Sequence, residues 1–216
     1  MGELSHDPFL AARLILTLRR EGITDPDVLR AVEAVPRSAF IEPELADLAY
    51  EDCVLPIGCG QTLESPSVVA SMILALDLKA CPEANVLLVG VGSGYMAALI
   101  QRLAGTVWGV ERFRRLADRS RVNLSGIGAD PIHVLHGDGL KGWPEHGPYD
   151  RILLTGAVDT VPGELFEQLS ESGLCISPLE EPRGHVLAVF DRSAERVSAQ
   201  PTVQHTPLRS GVSKVL

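Results

Sequence analysis

The chain has 216 residues, of which 45% are hydrophobic and 22% are charged, and this composition suits one compact domain. Its formal net charge of -9 argues against a general nucleic-acid-binding protein, because contacts with phosphate groups need clustered lysine and arginine. The sequence has neither a basic, apolar leader nor a run of about 18 apolar residues, so we expect a cytoplasmic protein without a signal peptide or a transmembrane helix.

The first part of the chain is predicted to contain two helices and then an irregular segment. Residues 9–22 have apolar side chains at helical spacing and end in glycine, which is typical just beyond the C-terminus of a helix. Asp25 and Pro26 suit the N-cap and the first position of a second helix. Residues 37–65 show no regular period, so we expect loops and short turns there.

The remainder of the chain alternates between helices and strands. Apolar runs bounded by glycine are typical of strands buried in a parallel sheet. Strands are predicted at 85–90, 106–111, 132–138, 151–157, 174–179, 185–192 and 196–204. Helices are predicted at 66–78, 95–104, 113–126 and 163–172. This order predicts an α/β fold with a doubly wound, Rossmann-like sheet, mostly parallel, with an antiparallel hairpin at its C-terminal end and helices at its N-terminus.

Ligands of such sheets bind at the carboxyl ends of the strands, so the residues that follow each strand are candidate site residues. The first strand is followed by a turn that reads GVGSG, whose glycines let the backbone approach a ligand closely. Its candidate cofactor-binding members are Gly90, Val91, Gly92 and Gly94. The GxGxG spacing differs from the GxGxxG of dinucleotide-binding folds, which favours a smaller nucleoside-type cofactor over NAD.

Acidic residues end the next two strands. Glu111 is placed to accept hydrogen bonds from both hydroxyls of a ribose, although a carboxylate at a helix N-terminus is the alternative interpretation. Asp138, followed by Gly139, offers an acceptor to the exocyclic amine of a flat base, although a turn aspartate is common. No phosphate-binding lysine follows the glycine turn. An adenosine site without a phosphate site predicts S-adenosyl-L-methionine as the cofactor.

The cysteines and histidines predict no further chemistry. The four cysteines form neither a CxxC pair nor a Cys/His cluster, so we expect free thiols in a reducing compartment and no metal site. The six histidines form no obvious pair with a nucleophile.

These motifs lie within a longer resemblance. The chain resembles the protein-L-isoaspartate O-methyltransferase family, in order and spacing, over roughly residues 10–208. The stretches that carry the resemblance are VPRSAFIEPELADLAYED, LPIGCGQTLESP, LLVGVGSGY, HGDGLKGWPEHGPYDRILLTGA and, weakly, TPL. It implies one class I methyltransferase domain over residues 1–216, in which 1–65 supply helices and a substrate-side loop and 66–216 form the cofactor-binding core.

The resemblance also implies an activity. Members of this family use S-adenosyl-L-methionine to methylate the carboxylate of an isoaspartyl residue in a damaged protein or peptide, and release S-adenosyl-L-homocysteine. The ester then collapses to a succinimide, which starts repair. By resemblance the glycine turn lines the cofactor, Glu111 meets the ribose, Asp138 and Gly139 meet the adenine, and the loop with Thr62 covers the reacting centre. The expected partner is a protein or peptide, rather than a nucleic acid or a membrane, and we expect a monomer.

Two positions depart from the family pattern. The family's glycine motif begins with an acid, as in LEIGTGSGY, and this chain has Leu88 there. Losing that acid is expected to weaken cofactor binding by roughly 1.5–3 kcal/mol, the strength of a charge-assisted hydrogen bond. The family loop reads GQTISxP, and this chain has Glu64 where the family has its active-site serine, with Ser65 in the variable position.

An ionised Glu64 would repel the substrate carboxylate. At ~4 Å the repulsion is about 1 kcal/mol in water and about 4 kcal/mol at an effective dielectric constant of 20, which lowers affinity or rate roughly ten- to a thousand-fold. The alternative is that Glu64 points to solvent and that Thr62 or Ser65 contacts the substrate. Two other functions therefore stay open: methylation of another peptide carboxylate or of a hydroxyl, and cofactor binding without catalysis.

Overall fold

The computed structural model describes residues 7–129 and 132–213. Its N-terminal region contains two helices, α1 (Pro8–Arg20) and α2 (Pro26–Ala34), as the sequence predicts. The side chains of Asp7 and Asp25 each accept hydrogen bonds from two backbone N–H groups of the following first turn. Both helix starts are therefore fixed by local sequence, because the capping side chain satisfies donors that have no partner within the helix.

The segment predicted to be irregular contains an antiparallel hairpin, so that prediction is wrong in part. Strands β1 (Leu55–Gly58) and β2 (Gln61–Leu63) pair with each other, after two short 3₁₀ helices at Arg37–Phe40 and Pro43–Leu48. The strands are too short to show a period, and the turn places Cys59 at a φ of 54°, where glycine or asparagine is the usual signal.

A buried arginine fixes the path of this segment. The Arg37 guanidinium is almost fully buried and donates hydrogen bonds to four backbone carbonyls of the chain that follows it. The acceptors are the carbonyl oxygens of Ala49, Glu51, Cys53 and Glu64, at 2.8–3.2 Å. One side chain thus satisfies several loop carbonyls at once and holds the loop that ends at Glu64.

The central sheet has seven strands in the order β5-β4-β3-β6-β7-β8-β9. Its strands are β3 (Asn85–Val89), β4 (Thr106–Glu111), β5 (Ile132–His136), β6 (Tyr149–Leu154), β7 (Leu169–Glu181), β8 (Gly184–Phe190) and β9 (Arg196–Pro201). The helices after the hairpin are α3 (Pro66–Ala75), α4 (Tyr95–Gln101), α5 (Arg114–Gly126) and α6 (Gly163–Glu167). Strands β3 to β7 pair in parallel and β7, β8 and β9 pair antiparallel, which confirms the predicted doubly wound, mostly parallel sheet.

The predicted helix over 163–172 is wrong in its second half, where β7 begins at Leu169. The carbonyl of Gln168 accepts a hydrogen bond from the backbone N–H of Tyr149, which draws the chain onto β6. Gly173 lies so close to this strand that an added Cβ would be 2.9 Å from the carbonyl oxygen of Tyr149. Pairing with a distant strand therefore overrides the local helical pattern.

Hydrophobic clusters cover both faces of the sheet. Leu88 packs into the larger cluster with side chains of α1 and α2, while its neighbours Leu87 and Val89 pack into the smaller one beside α6. This alternation is what a strand buried on both faces requires. Within 7–129 and 132–213, no helix is long and apolar enough to cross a membrane, and no three histidine, cysteine or acidic side chains cluster as a metal site would require.

Candidate active site

A cavity of about 450 Å³ opens at the carboxyl ends of β3, β4 and β6, where a doubly wound sheet holds its ligands. Its volume falls in the range of small-molecule sites, roughly 300–1,000 Å³. Seven predicted site residues line it: Thr62, Glu64, Gly90, Val91, Gly92, Glu111 and Gly139. Three others, Ser65, Gly94 and Asp138, lie outside its lining.

The glycine turn needs glycine for two different reasons. Gly90, Gly92 and Gly94 all have positive φ, at 89°, 58° and 100°, which side chains other than glycine rarely adopt. A Cβ on Gly90 would overlap the Thr155 hydroxyl, which donates a hydrogen bond of 2.7 Å to the Gly90 carbonyl. A Cβ on Gly94 would instead lie 3.2 Å from Leu124 of α5. Gly90 and Gly92 therefore shape the cavity wall, while Gly94 serves helix packing.

Glu111 clamps the glycine turn from the end of β4. Its carboxylate is buried, and its two oxygens accept hydrogen bonds of 2.9 Å from the backbone N–H groups of Gly92 and Phe113. Burial raises the pKa of Glu111, and these backbone hydrogen bonds act in the opposite direction. Because each carboxylate oxygen has a further lone pair, Glu111 can also accept hydrogen bonds from a ligand in the cavity.

Asp138 accepts hydrogen bonds from its own turn and from the C-terminal segment. One carboxylate oxygen accepts from the backbone N–H of Leu140, at 3.1 Å. The other accepts from the Ser210 hydroxyl, at 2.8 Å, and from the backbone N–H of Gly211, at 2.6 Å. Gly139 does line the cavity, and a Cβ there would be 2.7 Å from Val89. The contact with Leu140 is that of a turn aspartate, whereas the contacts with Ser210 and Gly211 fasten the C-terminal segment. The role of Asp138 toward adenine stays a prediction.

Thr62 and Glu64 reach the cavity from the hairpin and the loop behind it. The Thr62 hydroxyl lies 3.2 Å from the hydroxyl of Thr206, so the C-terminal segment meets this loop across the cavity. Ser65 is the N-cap residue of α3, and its hydroxyl lies 3.2 Å from that of Ser67. Glu64 is only 9% exposed, so its side chain lies in the cavity wall and not in solvent.

His205 is a neighbour of Glu64 that the sequence did not indicate. Its Nδ1 lies 3.7 Å from a carboxylate oxygen of Glu64, and its side chain is completely buried. Burial raises the pKa of Glu64. Burial, followed by the charge of nearby His185, lowers the pKa of His205 to about 4. Both shifts favour the uncharged form of the group, and each has burial as its main cause.

Three buried polar atoms in the cavity wall have no hydrogen-bond partner within the described ranges. They are Ser93 Oγ, the Tyr95 hydroxyl and Arg112 Nε. Buried polar atoms in native proteins are almost always satisfied, so these three atoms are exceptions within the described part of the chain. Leu88, the position where the acid of the resembled motif is missing, is fully buried in the core and does not line the cavity.

Comparisons with known proteins agree with this geometry. Residues 11–212 match the family model described as protein-L-isoaspartate(D-aspartate) O-methyltransferase. A protein-L-isoaspartate O-methyltransferase of Azorhizobium caulinodans is 42% identical over 208 residues, 95% of each chain. One from Maricaulis maris is 37% identical over 94% of this chain and 96% of its own. A solved structure of a protein-L-isoaspartate O-methyltransferase superposes with a TM-score of 0.76 at 26% identity, and the match covers 91% of this chain and 66% of that one.

Proposed function

The chain belongs to the protein-L-isoaspartate O-methyltransferase family, and we infer that it is an enzyme that uses S-adenosyl-L-methionine to methylate the carboxylate of isoaspartyl residues in damaged proteins or peptides. The observation that carries this function is the family match over residues 11–212. That range contains the whole cavity lining except its last residue, Ser213, together with the loop of Thr62 and Glu64. The activity is the first step of protein repair, and the fold is that of a class I methyltransferase.

Methyl transfer to a carboxylate requires little acid–base catalysis from the protein. S-adenosyl-L-methionine, when bound, supplies an electrophilic methyl group and is left as S-adenosyl-L-homocysteine. The isoaspartyl carboxylate is already ionised at pH 7 and needs no general base. The chain's own contribution is to bring the carboxylate into line and to surround it with buried walls that exclude water. We therefore expect residues around the reacting centre to orient the substrate rather than to remove a proton from it.

We assign the cofactor to the cavity beside the glycine turn. Gly90, Val91 and Gly92 would form its wall, Glu111 would accept from the ribose hydroxyls, and Asp138 with Gly139 would border the adenine. The lone pairs that remain on the Glu111 carboxylate, in the same wall, support a polar occupant of this kind. Gly94 would contribute indirectly, by letting α4 start close to α5.

We assign the substrate to the opposite side of the cavity. Thr62 and Glu64 would contact the isoaspartyl group, and Ser65 would support them as the N-cap of α3. We further propose one domain over 1–216 with a division of labour, in which 1–65 face the substrate and 66–216 hold the cofactor. Thr206 would join the substrate side, because the C-terminal segment folds back and places its hydroxyl 3.2 Å from that of Thr62.

We also propose that the enzyme works as a cytoplasmic monomer on protein or peptide substrates, and not on nucleic acids or membranes. The net charge of -9 disfavours binding to phosphate backbones. All four cysteines, Cys53, Cys59, Cys81 and Cys175, are free, as is usual in a reducing compartment. Size-exclusion chromatography with light scattering tests the monomer directly.

The function is tested by methyl transfer from labelled S-adenosyl-L-methionine to an isoaspartyl peptide. The matched control is the same peptide with an ordinary aspartyl residue. Label should be counted as ester plus methanol, because collapse of the ester to succinimide releases methanol. We expect label only with the isoaspartyl peptide. A folded protein that binds S-adenosyl-L-homocysteine in a calorimeter but labels neither peptide would contradict the proposed function.

A further inference from the structure

A row of polar groups runs from the half-buried Thr202, just after β9, through His205 to the cavity. The Thr202 hydroxyl lies 3.1 Å from Nε2 of His205, and Nδ1 of His205 lies 3.7 Å from the carboxylate of Glu64. The distance of 3.7 Å is too long for a hydrogen bond, and Nδ1 has no other partner in the described part of the chain. Hydrogen bonds at catalytic sites are often long without substrate and tighten when it binds.

Few positively charged groups lie near Glu64 and His205. Among the described residues, His205 is the only basic group within 4.0 Å of the Glu64 carboxylate. Arg37 faces Glu64, but its guanidinium donates to the Glu64 backbone carbonyl, at 3.1 Å, and not to the carboxylate. His185 faces His205 and accepts a hydrogen bond from its backbone N–H, at 3.4 Å. The other titratable or charged groups of the same cavity are Tyr95, Glu111, Arg112 and Arg209.

We propose that His205 is a positioning residue that orients Glu64, which its burial keeps as a neutral carboxylic acid, so that Glu64 donates a hydrogen bond to the carboxylate of the isoaspartyl substrate. The proposal deepens the proposed function and rests on it. It assigns Glu64 the task that a serine hydroxyl would perform at the same place. No proton leaves the site during methyl transfer, because Glu64 only donates a hydrogen bond.

One arrangement of protons satisfies the whole chain of groups. The Thr202 hydroxyl donates to Nε2 of His205, and Nδ1–H of His205 donates to one oxygen of Glu64. The other oxygen of Glu64 keeps its proton and donates to the substrate. Every group is then uncharged and paired, which is the condition for a stable buried polar network. The opposite tautomer of His205 would accept the proton of Glu64 itself, and would leave the substrate without a donor.

The pH dependence follows from the sign of the Glu64 shift. Burial raises the pKa of Glu64 above its usual range, so the neutral acid persists to higher pH than in an exposed glutamate. Activity is then complete below this raised pKa and is lost as the pH rises through it, because ionised Glu64 repels the substrate carboxylate. The substrate itself is ionised throughout, since an aspartyl-type carboxyl titrates near ~4. A full change of Glu64 from acid to anion should lower kcat/KM by roughly ten- to a thousand-fold.

The test is the pH profile of kcat/KM for an isoaspartyl peptide between about pH 5.5 and 9. Wild type should fall about tenfold per pH unit above the pKa of Glu64. Glu64→Gln, which stays neutral and still donates, should remove this fall. Glu195→Gln, an exposed glutamate in the turn before β9, is the matched control and should keep the wild-type profile. A wild-type profile that is level up to pH 9, or a fall that persists in Glu64→Gln, would overturn the proposal.

Variants at His205 separate positioning from simple packing. His205→Leu removes the donor to Glu64, so kcat should drop at low pH. The alkaline fall should move to higher pH, because an ionised Glu64 then lacks the N–H group of His205 that would stabilise its charge. His205→Asn can place an N–H near the position of Nδ1 and should restore much of kcat. A drop in kcat without any movement of the pH profile would mean that His205 only fills space.

Two nuclear magnetic resonance measurements on the free protein need no turnover. The carboxyl carbon of Glu64, assigned by its loss in Glu64→Gln, should titrate above the usual glutamate range. The nitrogen spectrum of His205 should show a protonated Nδ1 and an unprotonated Nε2. A Glu64 that titrates in the usual range, or the opposite tautomer, would overturn the proposal. Absence of methylation at every pH would instead contradict the proposed function, and these spectra would still decide the state of the pair.

Discussion

The substitution Glu111→Gln tests whether this residue binds the cofactor or only supports the glycine turn. Both oxygens of the Glu111 carboxylate already accept backbone N–H groups, from Gly92 and from Phe113, at 2.9 Å each. Glutamine keeps the shape and one acceptor, but it replaces the other oxygen with an NH₂ group. One backbone N–H then faces a donor, and a ribose hydroxyl on that side loses its charged acceptor.

The two effects differ in size and in what they change. An unsatisfied buried N–H costs about 1–3 kcal/mol of unfolding free energy. Part of this loss is offset, since a neutral amide avoids the cost of burial that raises the pKa of Glu111. Loss of a hydrogen bond between a ribose hydroxyl and a charged group costs roughly 1.5–3 kcal/mol of binding free energy, which is about a 10- to 150-fold increase in Kd.

The assay is calorimetric titration of S-adenosyl-L-homocysteine into wild type, Glu111→Gln and the exposed control Glu195→Gln, with urea unfolding of each protein. We expect the Kd of Glu111→Gln to rise at least tenfold while the protein stays folded at the temperature of the titration, and the control to match wild type. An unchanged Kd in a folded Glu111→Gln would refute the ribose contact and leave Glu111 with a structural role alone.

Three further predictions concern stability and the cavity wall. Gly90→Ala should abolish detectable binding of S-adenosyl-L-homocysteine in the calorimeter, because a Cβ at a φ of 89° would overlap the Thr155 hydroxyl; binding at wild-type strength would show that the turn adapts. Arg37→Met should lower the unfolding free energy by about 2–4 kcal/mol in urea titrations, because it leaves several buried loop carbonyls unpaired; a change under about 0.5 kcal/mol would contradict this. The lowered pKa of His205, about 4, means that the unfolded chain binds a proton at higher pH than the folded one, so stability should fall by up to ~3 kcal/mol from about pH 6.5 down to about pH 4. Glu64 acts in the opposite direction because its pKa is raised, so the fall should be steeper in Glu64→Gln and should vanish in His205→Leu.

The parts of the fold that local chemistry decides could be predicted from the sequence. Asp25 caps α2 because its own side chain reaches the first turn. The turn after β3 was predictable because its glycines adopt positive φ values, which other residue types rarely take. The hairpin around Cys59 was missed because its strands are too short to show a period and because the first of its two central turn residues, at positive φ, is not glycine. The start of β7 at Leu169 was missed because pairing with Tyr149, and not periodicity, fixes it.

The candidate site likewise has residues that the sequence predicts and contacts that it does not. The residues at strand ends were predictable because sheet topology brings the ends of β3 and β4 together, and Gly90 and Glu111 both line the cavity. The partners of those residues were not predictable. Asp138 meets Ser210 and Gly211, and Glu64 meets His205, only because the C-terminal segment folds back over the cavity. No spacing in the sequence encodes contacts of that kind.

Because the C-terminal segment folds back over the cavity, the expected effect of Glu64 on the substrate carboxylate changes. Judged as an ordinary exposed glutamate, Glu64 would be ionised and would repel the substrate, and the chain would be a poor methyltransferase for isoaspartate. Burial to 9% exposure, with an uncharged His205 as its nearest basic group, favours the neutral acid instead. A neutral carboxylic acid and a serine hydroxyl are both uncharged donors, so either can receive a carboxylate. They differ in one respect: the hydroxyl stays neutral at every physiological pH, whereas the carboxylic acid makes acceptance of the substrate depend on pH.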